Sequence, residues 1–417
     1  MSMTSDRTSR ARSMWLPFFC LLLGGVTVHI GGKQPALLYF DLVFGIWVVY
    51  QVLWHGVLPH VSGWVVIIGV LCVLFGLLST LVNMRDLYRG VATTKALAVG
   101  IAVYAVAKRA PVSLLASGGF GACASALLLY DYQTKRFDTF YAYTELKDEI
   151  EITLGRSNYV ASILILLVPL AVAGVWHYKG MKRWICAACA MLMLAGLLAT
   201  MSRGAILAIV AATILSLPFL KKAGMKISHA VIAVVMICVT LAIVPIDLLE
   251  SNLALFAFRF ENPDYTRIEI IRASWNTFME NPVLGIGPGE LGDAINHHMI
   301  VPTIAGDRQY NAHNLVIDSL AEMGLPTGLA LLAIVGIVLR NAWIAVRKAP
   351  SAFNVGVWVA LLAGVMHNMV EASFEGPQFQ VVFWTVAAMA GLHVLQLEQP
   401  SHRRVLSSGP LSVEGTS

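Results

Sequence analysis

Apolar stretches about one bilayer wide alternate with short polar turns along this chain, and the rhythm breaks once, between residues 248 and 325. A hydrocarbon core about 30 Å thick is crossed by about 20 apolar helical residues. That ruler finds about twelve candidate spans: 15–32, 36–54, 63–82, 93–107, 111–130, 158–176, 184–201, 204–220, 229–247, 326–345, 353–370 and 378–396. Only Lys108, Arg109 and Ala110 separate the fourth from the fifth. The first lacks a small-residue cleavage site and the second follows at once, so it reads as a span and not as a cleaved signal. The expected fold class is an all-α polytopic membrane protein of about 12 transmembrane helices with one large extramembrane loop. Its segments are a tail at 1–14, spans one to nine at 15–247, the loop at 248–325, spans ten to twelve at 326–396 and a second tail at 397–417.

Composition agrees with this pattern. Hydrophobic residues make up 58% of the chain and charged ones 13%, against about 25% charged in soluble domains. The distribution of charge then orients the spans, because short basic loops stay cytoplasmic. With twelve spans, Arg7, Arg10 and Arg12, Lys108-Arg109, Lys179 with Lys182-Arg183, Lys221-Lys222, Arg347-Lys348 and Arg403-Arg404 all share one face. That face is the cytoplasmic one. Of the 24 acids, only Asp6, Glu398 and Glu414 fall clearly on it, so the opposite face receives the carboxylates and the long loops. The net charge of +5 is therefore a difference between two sides, and nothing in it points to nucleic acid.

All six cysteines lie inside candidate spans, so a disulfide framework is not expected. Cys186 and Cys189 have the spacing of a redox or zinc pair, but they sit among Ala, Met and Leu with no nearby His or Asp and read as small packing residues.

Candidate chemistry gathers on the outward face. The loop 131–157 carries Lys135, Arg136, Lys147 and Arg156 among acids and the tyrosines Tyr132, Tyr141 and Tyr143. It reads as a solvated surface loop or as an entrance for a polyanionic or carbohydrate substrate. Between spans seven and eight the chain reverses at Met201-Ser202-Arg203-Gly204-Ala205. There Arg203 either snorkels to the headgroups or meets the phosphate of a lipid carrier at the same depth.

The large loop has local structure of its own. Thr266 and Glu269 fit a capping box with Tyr265 and Ile270 as its staple, so Arg267 should begin a helix. Ile268, Ile271, Trp275 and Met279 recur at three or four residues, giving an amphipathic helix for the membrane or the bundle, ended by Asn281-Pro282. A guanidinium at a helix N-terminus makes an anion-binding corner, unless Glu261 or Asp264 pairs with Arg267. Gly287 to Gly292 matches a dinucleotide fingerprint by letter alone, since no βαβ unit surrounds it, and reads as a tight turn. His297 and His298 read as solvated loop histidines. His313-Asn314 immediately precedes the apolar run Leu315 to Leu320, with Gly324 and Pro326 expected to end that short helix. An imidazole at such a junction can face an interfacial cavity and accept a proton from a hydroxyl.

The Ser202-Arg203-Gly204-Ala205 turn, the segment from Tyr265 through Trp275 to Gly289 and the His313-Asn314 helix start together resemble the O-antigen ligases. That group also holds O-antigen polymerases and protein O-oligosaccharyltransferases, and the likeness covers most of residues 15–396. It implies a fold of the membrane glycosyltransferase C type. It also implies transfer of O-antigen from undecaprenyl diphosphate to a sugar hydroxyl of lipid A-core, on the periplasmic side of the bacterial inner membrane. His313 would be the base, with Arg203 and Arg267 stabilising the diphosphate. Arg136, Arg156, Arg272 and Asn314 would be substrate-binding. A diphosphate leaves without a general acid, so displacement would be direct and inverting. No Asp-x-Asp pair occurs in the sequence, so neither a metal nor another cofactor is expected.

An O-antigen polymerase, with the same donor and a growing glycan as acceptor, is the alternative. A protein O-oligosaccharyltransferase would carry more C-terminal mass, and a lipid-linked sugar transporter would need charges near the middle of several spans, where this chain is almost purely apolar.

Overall fold

The computed structural model describes residues 22, 39–55, 64–83, 87–107, 113–138, 150–225, 236, 240, 244, 248–250, 253, 265–298 and 311–398. Helices dominate: α1 (Tyr39–His55), α2 (Trp64–Asn83), α3 (Leu87–Ala107), α4 (Leu114–Asp138), α5 (Ser157–His177), α6 (Met181–Ala199), α7 (Arg203–Leu215) and α8 (Leu217–Lys222). After the chain enters the large loop come α9 (Tyr265–Glu280), α10 (Leu291–His298), α11 (Leu315–Lys348), α12 (Ala352–His367) and α13 (Pro377–Glu398). A two-residue hairpin pairs β1 (Glu151–Ile152) with β2 (Gly155–Arg156) in antiparallel register.

The chain is an all-α polytopic membrane protein. Among the described residues five helices are long and apolar enough to cross a membrane, and three shorter ones are apolar. Candidate spans 15–32 and 229–247 lie almost wholly outside the described residues, as do Tyr141, Tyr143, Lys147, Glu261 and Asp264. α5 is apolar on every side and is stable only where every side is covered. It is accordingly buried along nearly its whole length, packed by α4, α6, α12 and α13. α2 instead turns Ile67, Val70, Leu74 and Leu78 outward. An apolar face of that extent is covered by lipid, not water.

Several boundaries differ from the hydropathy pattern. α4 continues through Arg136 to Asp138, so the first part of the expected 131–157 loop is helix. The expected span 204–220 breaks at Ser216, just before Pro218, whose ring and missing N–H cannot continue the ladder. α12 stops at His367 and leaves residues 368–370 to a turn. α9 begins at Tyr265, which puts Thr266 inside the helix instead of at its cap. His297 and His298 belong to α10, not to an open loop, and His298 Nε2 lies 3.2 Å from Glu280 Oε2.

Gly324 bends α11 without ending it. This helix has 34 residues, about 51 Å at 1.5 Å per residue, more than a core of about 30 Å can hold. The bend would let a first part stand outside the hydrocarbon core while the second part crosses it. At φ 72° and ψ 175°, Gly324 occupies a region closed to other residues. Gly285, at φ 67°, crosses it: a Cβ on Gly324 would lie 2.2 Å from the Val283 carbonyl oxygen, and one on Gly285 2.3 Å from that of Glu322. Backbone bonds from Ile286 and Gly287 to the carbonyls of Ala321 and Glu322, at 3.1 and 3.0 Å, close this crossing. Gly324→Ala is expected to destabilise the fold by about 2 kcal/mol or more. Thermal unfolding of the purified protein in detergent would register this as a lowered Tm.

Candidate active site

One turn organises one end of the bundle. Between α12 and α13, Asn368 closes it on itself: its Oδ1 accepts from Phe374 N at 2.8 Å and its Nδ2 donates to Gly364 O at 2.8 Å. Four successive residues then reach three other parts of the chain. The Asn368 carbonyl accepts from Leu315 N at 2.8 Å. The Met369 carbonyl accepts from Asn314 Nδ2 at 3.0 Å, and the Val370 carbonyl from an Arg267 Nη1 at 3.2 Å. Glu371 meets His313 with one carboxylate oxygen and Asn158 with the other.

His313 Nδ1 lies 3.0 Å from Glu371 Oε1, and 29% of the histidine side chain is exposed. An ionised carboxylate only accepts, so the proton of a neutral imidazole sits on Nδ1 and the Nε2 lone pair is left to take another. The backbone here is unusual, because His313 has φ 53°. Left-handed conformations cost a side-chain-bearing residue about 1–2 kcal/mol, and the surroundings hold this one in place. His313 N donates to Asn311 Oδ1, while Asp318 accepts from Ala312 N at 2.6 Å and from Asn314 N at 3.2 Å. Among the described residues the one other non-glycine at positive φ is Met201, at φ 52°, in the turn that delivers Arg203. Strain of this kind persists where neighbouring structure enforces it, often at a functional site.

Arg203 is the first residue of α7, after Ser202 in extended conformation, and is half-buried. Its neighbour Gly204 packs so closely on the turn that a Cβ there would lie 3.1 Å from Val370 Cγ2. Val370 and Glu371 thus touch the arms bearing Arg203, Arg267 and His313. Asn314 caps α11, its Oδ1 accepting from Val316 N and Ile317 N, so both ends of its amide are engaged inside the protein.

Residues 188–333 match the family model described as O-antigen ligase. This segment, 146 of the chain's 417 residues (333 less 187), is similar to the O-antigen ligases. The family's members are glycosyltransferase-type enzymes, ligases and polymerases. No curated protein matches the chain. The O-antigen ligase segment starts in α6, takes in the Arg203 turn, α9 and His313, and stops within α11. The turn carrying Glu371 lies beyond it, as do Arg136, Arg156 and Asn158.

The structure places the three remaining candidate arginines differently. Arg156 occupies the cap of α5, exposed, two residues before Asn158, whose Nδ2 donates to Glu371 Oε2 at 2.8 Å. The hairpin that carries it is tied to α4 by Glu151 N donating to Asp131 Oδ2 at 3.0 Å. Arg136 lies on α4 past that tie. Arg272 runs along α9, 3.9 Å from Glu269. Among the described residues, no group of three or more His, Cys, Asp and Glu is placed to hold a metal ion.

Glu371 and Asn158 were absent from the sequence reading. The signal for Glu371 was an acid in a very short turn between two apolar spans; Asn158 had none. Glu371→Gln would leave the His313 tautomer unfixed, and is expected to cut transfer by about 10²–10³-fold. Asn158→Ala, which removes one of the carboxylate's bonds, should cost about tenfold. Initial transfer rates of both purified variants, with thermal melting as a folding control, check this order.

Proposed function

We propose that this protein moves O-antigen glycan from undecaprenyl diphosphate to a sugar hydroxyl of lipid A-core, at the periplasmic face of the bacterial inner membrane. The observation that carries the reading is the Val370–Glu371 turn, which bonds Arg267 and His313 and packs on Gly204 beside Arg203. These arms come from three separate stretches of chain. Their meeting at one outward turn supports a single site made of a base and two cations.

In this reading His313 Nε2 takes the proton from the acceptor hydroxyl as its oxygen attacks the anomeric carbon. The bond from that carbon to the diphosphate oxygen breaks, the electron pair leaves with the diphosphate, and the anomeric configuration inverts. Arg203 and Arg267, each near a helix N-terminus, face the growing negative charge; guanidinium forks suit phosphate oxygens and need no metal. Arg156 and Arg272 would guide the donor or the core, with Arg136 further out. The fold would be of the membrane glycosyltransferase C type, with residues 248–325 as its periplasmic active-site loop.

Reconstitution in liposomes with undecaprenyl-diphosphate glycan, offering either lipid A-core or a second lipid-linked glycan, tests the acceptor. Product on lipid A-core, formed equally well in EDTA, is the expected result. Extension of the second glycan instead would make the protein a polymerase, and loss of transfer to EDTA with rescue by magnesium would overturn the metal-free step.

A further inference from the structure

α9 carries three stripes, not two. Successive helical positions advance by about 100°, which sorts its side chains by exposure as well as by type. Ile270, Ala273, Ser274, Thr277 and Phe278 form one buried stripe, packed against α10 and the first part of α11. Arg272, Asn276 and Glu280 form an exposed polar stripe. Ile268, Ile271, Trp275 and Met279 form the third, apolar yet between 40% and 62% exposed. A helix with a bundle on one side and water on the other needs only two faces. The third needs a third phase.

The apolar stripe does not stop at the end of α9. Leu325 N donates to the Pro282 carbonyl at 2.8 Å, which seats Val283 beside the bend of α11. Val283 and Leu325 are themselves 66% and 45% exposed, and Leu329, one turn on along the spanning helix, is 52% exposed. The stripe therefore runs unbroken from α9 onto the lipid-facing flank of α11. Trp275 near its middle and Arg272 along its edge are the residue types that favour the headgroup boundary.

We propose that α9 lies in the membrane interface, with Ile268, Ile271, Trp275 and Met279 seated in the leaflet on the loop's side and Arg272 among the lipid phosphates. The occupant of this face is phospholipid. Seating the helix there sets the depth of its first turn, and so holds Arg267 and its bond to Val370 at headgroup level. This placement stands on the fold alone, whatever the acceptor of the reaction.

The test uses full-length protein in phospholipid nanodiscs, with photoreactive benzoylphenylalanine introduced singly at 271, 275 and 279, and at 272 and 276 for comparison. Position 329 serves as the lipid-facing reference and reports that the bundle is intact. Irradiation followed by mass spectrometry is expected to give phospholipid adducts at 271, 275 and 279 at a level near that of 329, and at least several-fold fewer at 276. Cross-linked dimers through 271 and 275 would assign the face to a second copy of the chain and overturn the proposal. So would an absence of lipid adducts from all three positions while 329 still gives them.

Discussion

Purified His313→Ala protein is expected to transfer no measurable glycan while still inserting into the membrane. A positioned general base contributes about 10²–10⁴-fold to a proton transfer, and in the proposed mechanism Glu371 would hold that base. The backbone complicates the alanine, since position 313 sits at φ 53°. Asparagine tolerates that region and cannot serve as the base. His313→Asn should therefore keep the fold, keep the Asn311 and Asp318 bonds that shape the turn, and still lose transfer. The measurement is the initial rate of glycan transfer in liposomes, with a thermal melt beside it. A His313→Asn protein that ligates at the parent rate would remove His313 from the chemistry altogether.

Arg203→Ala and Arg267→Ala are each expected to lower kcat by about 10²–10³-fold, the usual loss when one group aimed at developing charge is removed. Lysine should restore only part of it, because a point charge replaces a planar fork. The two substitutions should also combine non-additively, since both cations would serve one diphosphate. Arg267 has a further role: its Nη1 bonds the Val370 carbonyl. Arg267→Ala should thus also loosen the turn that presents Glu371, detectable as a lower Tm. Full additivity of the pair in single-turnover rates would mean that the two arginines act on different groups.

Much of this was readable along the chain, and the reasons are local. Hydropathy over about 20 residues marks a span whatever its neighbours are, so α2, α5 and α6 fall close to their expected bounds. Cap chemistry is equally local: Asn314 caps α11, where the sequence expects a helix to start. Boundaries failed where two local signals competed. Gly324 and Pro326 read together as a stop, yet the close crossing with Gly285 converts them into a bend. The polar letters after Asp131 read as loop, yet the helix continues to Asp138 before the hairpin begins.

By itself, the order of residues determined the membrane class, and it singled out three side chains that are proposed here as a base and two cations. Tertiary structure decided what those side chains share. Arg203 and Glu371 are 168 positions apart, 371 less 203, and no period or motif spans such a gap. Packing of α7 and α9 onto the turn after α12 brings them together, and the same packing leaves α9 with an apolar stripe that its amphipathic letters do not distinguish from a core face. Propensity and hydropathy act within a few turns of chain, whereas a site is made where separate elements meet.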